Sequence, residues 1–80
     1  MRVKVTLLDR DEILGAIVRA LAVQVAGFQV VGRMNRKYLE QNGYYQFPFS
    51  QVQSVKFQTL VKSYIAERFQ PSIRIAEDSN

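Results

Sequence analysis

Three acids follow the first apolar run of the chain at short spacing, Asp9, Asp11 and Glu12 in "LLDRDEIL". Carboxylates gathered at a strand end are hard oxygen ligands. Such a set can hold a divalent metal for phosphodiester cleavage, in some arrangements across a dimer axis. The same spacing has a second explanation, because acids at the start of a helix accept from its unpaired N–H groups and complement its macrodipole. Capping is the commoner use of this pattern, so a metal-dependent nuclease built on Asp9 stands only as the enzymatic alternative and no metal ligand set is assigned. The rest of the inventory narrows the chemistry further. The chain has no His, no Cys and no Trp, which removes the usual imidazole base, the usual thiolate nucleophile and nearly every zinc or copper site. Neither a glycine-rich phosphate loop nor a G-x-S-x-G elbow is present. The expectation is a protein that is not an enzyme and carries no cofactor.

The second set of residues suited to a function is cationic and aromatic. Eleven Lys and Arg stand against seven Asp and Glu, a net charge of +4, a balance that favours a polyanion or an acidic protein surface as partner. The stretch "QNGYYQFPF", residues 41–49, packs four rings into nine positions. It is either the spine of a small core or a platform on which bases stack, and the elements around it decide which.

"RVKVTLL" alternates Val3, Val5 and Leu7 with Arg2, Lys4 and Thr6, the period of a half-buried strand. Asp9 with Glu12 three residues on has capping-box spacing, and the helix it starts should run to Ala26 and stop at Gly27. Ile13, Leu14, Ile17, Val18, Leu21 and Val25 predict its buried face, with Gly15, Ala16, Ala22 and Ala26 as a small-residue back. Asn42-Gly43 between two aromatic-rich runs predicts a tight hairpin, with residues 28–41 as its first arm and Tyr44 onward as its second. Phe28, Val30, Met34, Tyr38, Tyr45 and Phe47 then share the core face. Ser50 with Gln53 makes another capping box for a helix reaching Phe69, whose buried stripe is Phe57, Leu60, Val61, Tyr64 and Ile65. "SIRIA" gives a last strand, and 77–80 reads as a flexible acidic tail.

The order β-α-β-β-α-β predicts a single α+β domain over residues 1–76 with a ferredoxin-like sandwich, two helices on one face of a four-stranded antiparallel sheet. A chain of 80 residues buries only about 60 to 65% of its unfolded surface, so a second copy would help its stability. No apolar run reaches the roughly 20 residues needed to span a bilayer and no signal peptide precedes the first strand, so no membrane role is expected. The absence of cysteine makes the cytoplasm the expected location.

The parity of the strands predicts what the open face of the sheet carries. Arg2, Lys4, Arg33, Lys37 and Arg74 all fall there, with Tyr44 and Gln46, and no acid does. This segregation points to a regulatory domain that binds single-stranded nucleic acid, RNA or DNA, the cations on phosphates and Tyr44 on a base. The stretch "NGYYQFPF" resembles in part the third-strand motif of RNA-recognition modules, with Gly43, Tyr44 and Phe49 in register. It departs from that motif at Asn42 and Gln46, and Lys4 stands where a first-strand ring would be. Tyr45, Phe47 and Phe49 are expected in the core and Tyr44 outside it. The alternative is a protein-binding or inhibitory module that joins an acidic surface or a second copy through Val31 and Leu39, or through the small-residue back of the first helix.

Overall fold

A computed structural model of the chain describes residues 2–31 and 41–78. Within them the fold is α+β, with three antiparallel strands and two main helices. β1 (Arg2–Leu7) is the central strand, flanked by β2 (Tyr44–Phe47) and β3 (Ile73–Asp78). α1 (Glu12–Ala26) links β1 to a helical turn, α2 (Phe28–Val31), and α3 (Gln51–Tyr64) with a short 3-10 helix (Glu67–Ser72) links β2 to β3. This order fits β-α-β-β-α-β around the first strand, with a helical turn where the second strand was expected to begin.

The period-two reading of β1 holds. Val3, Val5 and Leu7 are buried to 2% exposure or less, and Val5 sits between Tyr45 on β2 and Ile75 on β3. Pairing with β3 continues to Arg2↔Asp78, so Glu77 and Asp78, assigned by sequence to the tail, extend the strand. Glu77 accepts from Gln58 Nε2 of α3 at 3.2 Å.

α1 begins two residues later than the Asp9 cap predicts. Leu8 N–H still pairs with Ser72 O at 2.9 Å, so the chain must leave the sheet before it can coil. Arg10 turns it with a φ of 50°. Asp11 is therefore the N-cap, accepting from Ile13 N at 2.9 Å and Leu14 N at 3.2 Å. Asp9 instead accepts from Ser72 Oγ at 3.0 Å. The C-terminus ends as expected on Gly27, φ 88°.

The face of α1 that meets the sheet is rolled relative to the predicted stripe. Leu14, Val18 and Leu21 are buried, but so are Gly15 and Ala22, whereas Ile13 is 75% exposed and Ile17 37%. Small residues placed by sequence on the back are thus at the front, where they let the helix settle onto the aromatic strand. A Cβ at Gly15 would lie 2.6 Å from Tyr45 Oη and 3.3 Å from Leu7 Cδ1.

The described ends of the expected first hairpin arm, 28–31 and 41–42, are helical and not extended. Phe28–Val31 coils instead of pairing, and Val31 N–H donates to Gly27 O at 3.3 Å. Phe28, predicted inward, is 74% exposed and Val31, predicted outward, is 2% exposed. Four residues are too few to separate strand from helix by periodicity; here the glycine stop turns Val31 into the core. Gln41 and Asn42 are helical and only Gly43, φ 78°, has the positive φ that a type I′ turn requires at both positions. The rest of the first arm, including Arg33, Met34, Lys37, Tyr38 and Leu39, lies outside the described residues.

α3 starts on the predicted capping box: Ser50 Oγ accepts from Gln53 N and Gln53 Oε1 from Ser50 N. It ends at Tyr64, not Phe69, because Gln70 Nε2 donates to the Val61 and Ile65 carbonyls at 3.0 and 2.9 Å and closes the last turn from outside. Phe57, Val61 and Ile65 are buried, and Tyr64, expected in the stripe, is 67% exposed. Phe47 stacks between Tyr45 and Phe49, with centroids at 5.9 and 5.3 Å, and meets Phe57 of α3 at 5.6 Å.

Two measurements check this packing. Gly15→Ala gains about 1 kcal/mol of helix propensity yet must displace the Tyr45 hydroxyl, so urea unfolding should show a net loss of about 1–2 kcal/mol. In a Tyr45→Phe background the same change should be neutral or stabilising, and a loss of equal size in both would contradict the close approach. Asp11→Ala should cost about 1 kcal/mol as a lost cap, and Asp9→Ala less than about half of that, a ranking that the Asp9 capping box would reverse.

Candidate functional site

The helices cover the face of the sheet that carries Val3, Val5, Tyr45 and Phe47; among the described residues no helix covers the other face. Register brings five of the predicted residues, Arg2, Lys4, Tyr44, Gln46 and Arg74, together on it, with Thr6 among them. Thr6 stands between Tyr44 and Arg74, Lys4 stands opposite Gln46, and Arg2 lies opposite Asp78. With strands about 4.8 Å apart, the Tyr44–Thr6–Arg74 row spans the width of the sheet. Arg2 and Arg74 are exposed, while Lys4, Tyr44 and Gln46 are half-buried. Lys4 Nζ sits 5.1 Å from the Tyr44 ring centroid, near enough for a cation–π contact, so the one outward ring of the aromatic strand and the central cation form a unit.

Two features of this face escape strand parity. Asp78 joins it because β3 is longer than its sequence predicts, so an acid borders the cations after all. Arg10 comes close to the Tyr44 end of β2: a Cβ on Gly43 would lie 3.6 Å from Arg10 Nη2. Arg10 belongs to a loop among acids, where no alternation applies, and nothing in its sequence context marks it as a neighbour of Tyr44. Arg33 and Lys37, the other two predicted cations, lie outside the described residues.

The acids do not gather. Asp11 is engaged by helix N–H groups and Asp9 by Ser72, and among the described residues no three of His, Cys, Asp or Glu are placed to hold a metal ion. The predicted protein interface is also redrawn. Val31 is a core residue and Leu39 lies outside the described residues. Exposed apolar surface occurs instead along a groove of ≈ 210 Å³ between α1 and the end of α3, where Ile13, Ile17, Tyr64 and Phe69 meet. Arg68 lies over the Phe69 ring at 4.8 Å. A second apolar groove lies along the outer side of α3 at Val52 and Val55. No helix among the described residues is long and apolar enough to cross a membrane. Comparison with protein-family models, with curated proteins and with solved structures gave no match.

Proposed function

We propose that this chain is a small, non-enzymatic regulatory domain that binds single-stranded nucleic acid across the open face of its sheet, in the cytoplasm. The observation that carries the reading is the Lys4–Tyr44 unit with Arg2 and Arg74 on the same face. Tyr44 offers a base a π surface, and the cations flank the path a phosphate backbone would take. Gln46, next to Lys4 across the strands, adds an amide that can donate to or accept from a base edge. Arg33 and Lys37 are proposed as further phosphate ligands from sequence alone, and Arg10 joins them by its approach to Gly43.

A protein partner is the second reading, favoured by the exposure of Ile13, Ile17, Tyr64 and Phe69 along one groove. Fluorescence anisotropy with a mixed-sequence single-stranded oligonucleotide at two salt concentrations separates the two. Under the nucleic-acid reading, affinity falls steeply with salt, and joint replacement of Arg2, Lys4 and Arg74 by Gln lowers the log–log salt slope by up to about 0.7 per lost phosphate contact. Tyr44→Ala costs about 1–3 kcal/mol of binding. Unchanged affinity in both variants, or no binding at low salt, rejects it in favour of a protein partner.

A further inference from the structure

β3 is the outermost strand of the described sheet on its side, and its outer edge has a definite set of main-chain groups to offer. Leu8 N–H bonds Ser72 O, so in an antiparallel ladder Ser72, Arg74, Ala76 and Asp78 exchange hydrogen bonds with β1. Ile73, Ile75 and Glu77 therefore aim their N–H and C=O groups outward. Ile73 N–H is already used, donating to Gln70 O at the end of the 3-10 helix. Among the described residues, the ladder positions that no other strand uses are thus Ile75 and Glu77, in a strand whose register runs without a bulge from Ile73 to Asp78 and which contains no proline. Such an edge is a template for another strand. The opposite side of the sheet is no equal candidate, because Tyr44, Tyr45 and Gln46 of β2 hold further partners.

We propose that the strand which pairs there is β3 of a second copy of this chain, antiparallel about a two-fold axis at Ala76. Charge selects this occupant and this register. With Ala76 facing its own counterpart, Ile75 exchanges both main-chain bonds with Glu77 of the second copy, and symmetry repeats the pair. Arg74 then stands directly opposite Asp78 of the second copy, on the open face and at the closely spaced, non-hydrogen-bonded positions where opposite charges support a sheet. A shift that centres the axis on Ile75 would need the occupied Ile73 N–H and would set Arg74 against Ala76.

The helix layer agrees. Gln58 reaches down to Glu77, so this flank of α3 overhangs β3. Gln51, Val55 and Lys62 are seven and three residues before Gln58 and four after it, on the same flank. Val55 is 59% exposed and lies where this flank meets the apolar groove on the outer side of α3. Across the proposed axis the two Val55 side chains approach each other, which covers an apolar surface that the single chain leaves in water. The open faces of the two sheets become one.

The proposal stands apart from nucleic-acid binding and is tested without it. Sedimentation equilibrium of nucleic-acid-free protein, from about 5 to about 500 µM, should show a monomer–dimer equilibrium. Glu77→Pro removes an outward N–H while sparing the bonds to β1 and should hold the protein monomeric with an unchanged circular-dichroism spectrum. Arg74→Asp should weaken the dimer at least about tenfold, and Arg74→Asp with Asp78→Arg should return it to within about threefold of the parent. If Glu77→Pro disturbs the fold, the charge pair alone decides. A monomer throughout the range, a folded Glu77→Pro dimer, or a double variant no tighter than Arg74→Asp overturns the proposal.

Discussion

The fold depends on one constraint: every large ring of the 44–57 stretch except Tyr44 must fit on the same side of a narrow sheet. Phe47 has no exposed surface and touches three other rings, Tyr45 and Phe49 in near-parallel stacks and Phe57 at a tilt. Buried aromatic pairs add about 0.5–1.5 kcal/mol each beyond their area, a large share of what holds a domain of this size together. Satisfying that cluster fixes much else. β2 must alternate, so Tyr44 and Gln46 face out. Pro48 carries Phe49 back inward, and Phe49 N–H closes a tight turn on Phe47 O at 3.1 Å. Ser50 follows at once as the cap of α3, which brings Phe57 down onto the rings. On the other side, α1 can cover Tyr45 only where it has no side chain, and Gly15 provides that position.

Much of this was legible in the sequence because it rests on local rules. The alternation of β1, the Gly27 stop, the Ser50–Gln53 box and the inward Tyr45, Phe47 and Phe49 each follow from a few neighbouring residues. What failed is governed by distant ones. The start of α1 depends on Leu8 pairing with Ser72, sixty-four residues on. The end of α3 depends on a side chain, Gln70, folding back to accept no new residue into the helix. The roll of α1 depends on the height of the Tyr45 hydroxyl. At the start of the expected hairpin arm the local signal is ambiguous: "FQVV" reads equally as strand or helix, and its burial is decided by the backbone direction that Gly27 sets.

The site divides in the same manner. Arg2, Lys4, Tyr44, Gln46 and Arg74 were placed on one face by parity alone, since a residue opposite an inward neighbour must itself point out. Arg10 and Asp78 arrive by loop geometry and strand length, which parity does not report. The consequence is a surface with a gradient: cations and the ring around β1 and β2, with an acid at the margin of β3, the outermost described strand on that side. That margin is suited to a neighbouring strand, and the interior of the face to a ligand with spaced negative charge.

Under the proposed function the outward face, not the apolar groove beside α1, receives the ligand. Amide chemical-shift mapping during titration with a short single-stranded oligonucleotide tests it residue by residue. The largest shifts are expected at Lys4, Thr6, Tyr44, Gln46 and Arg74, with Val3, Val5, Tyr45 and Phe47 moving less. Shifts confined to Ile13, Ile17, Tyr64 and Phe69, or none at saturating oligonucleotide in low salt, would contradict it.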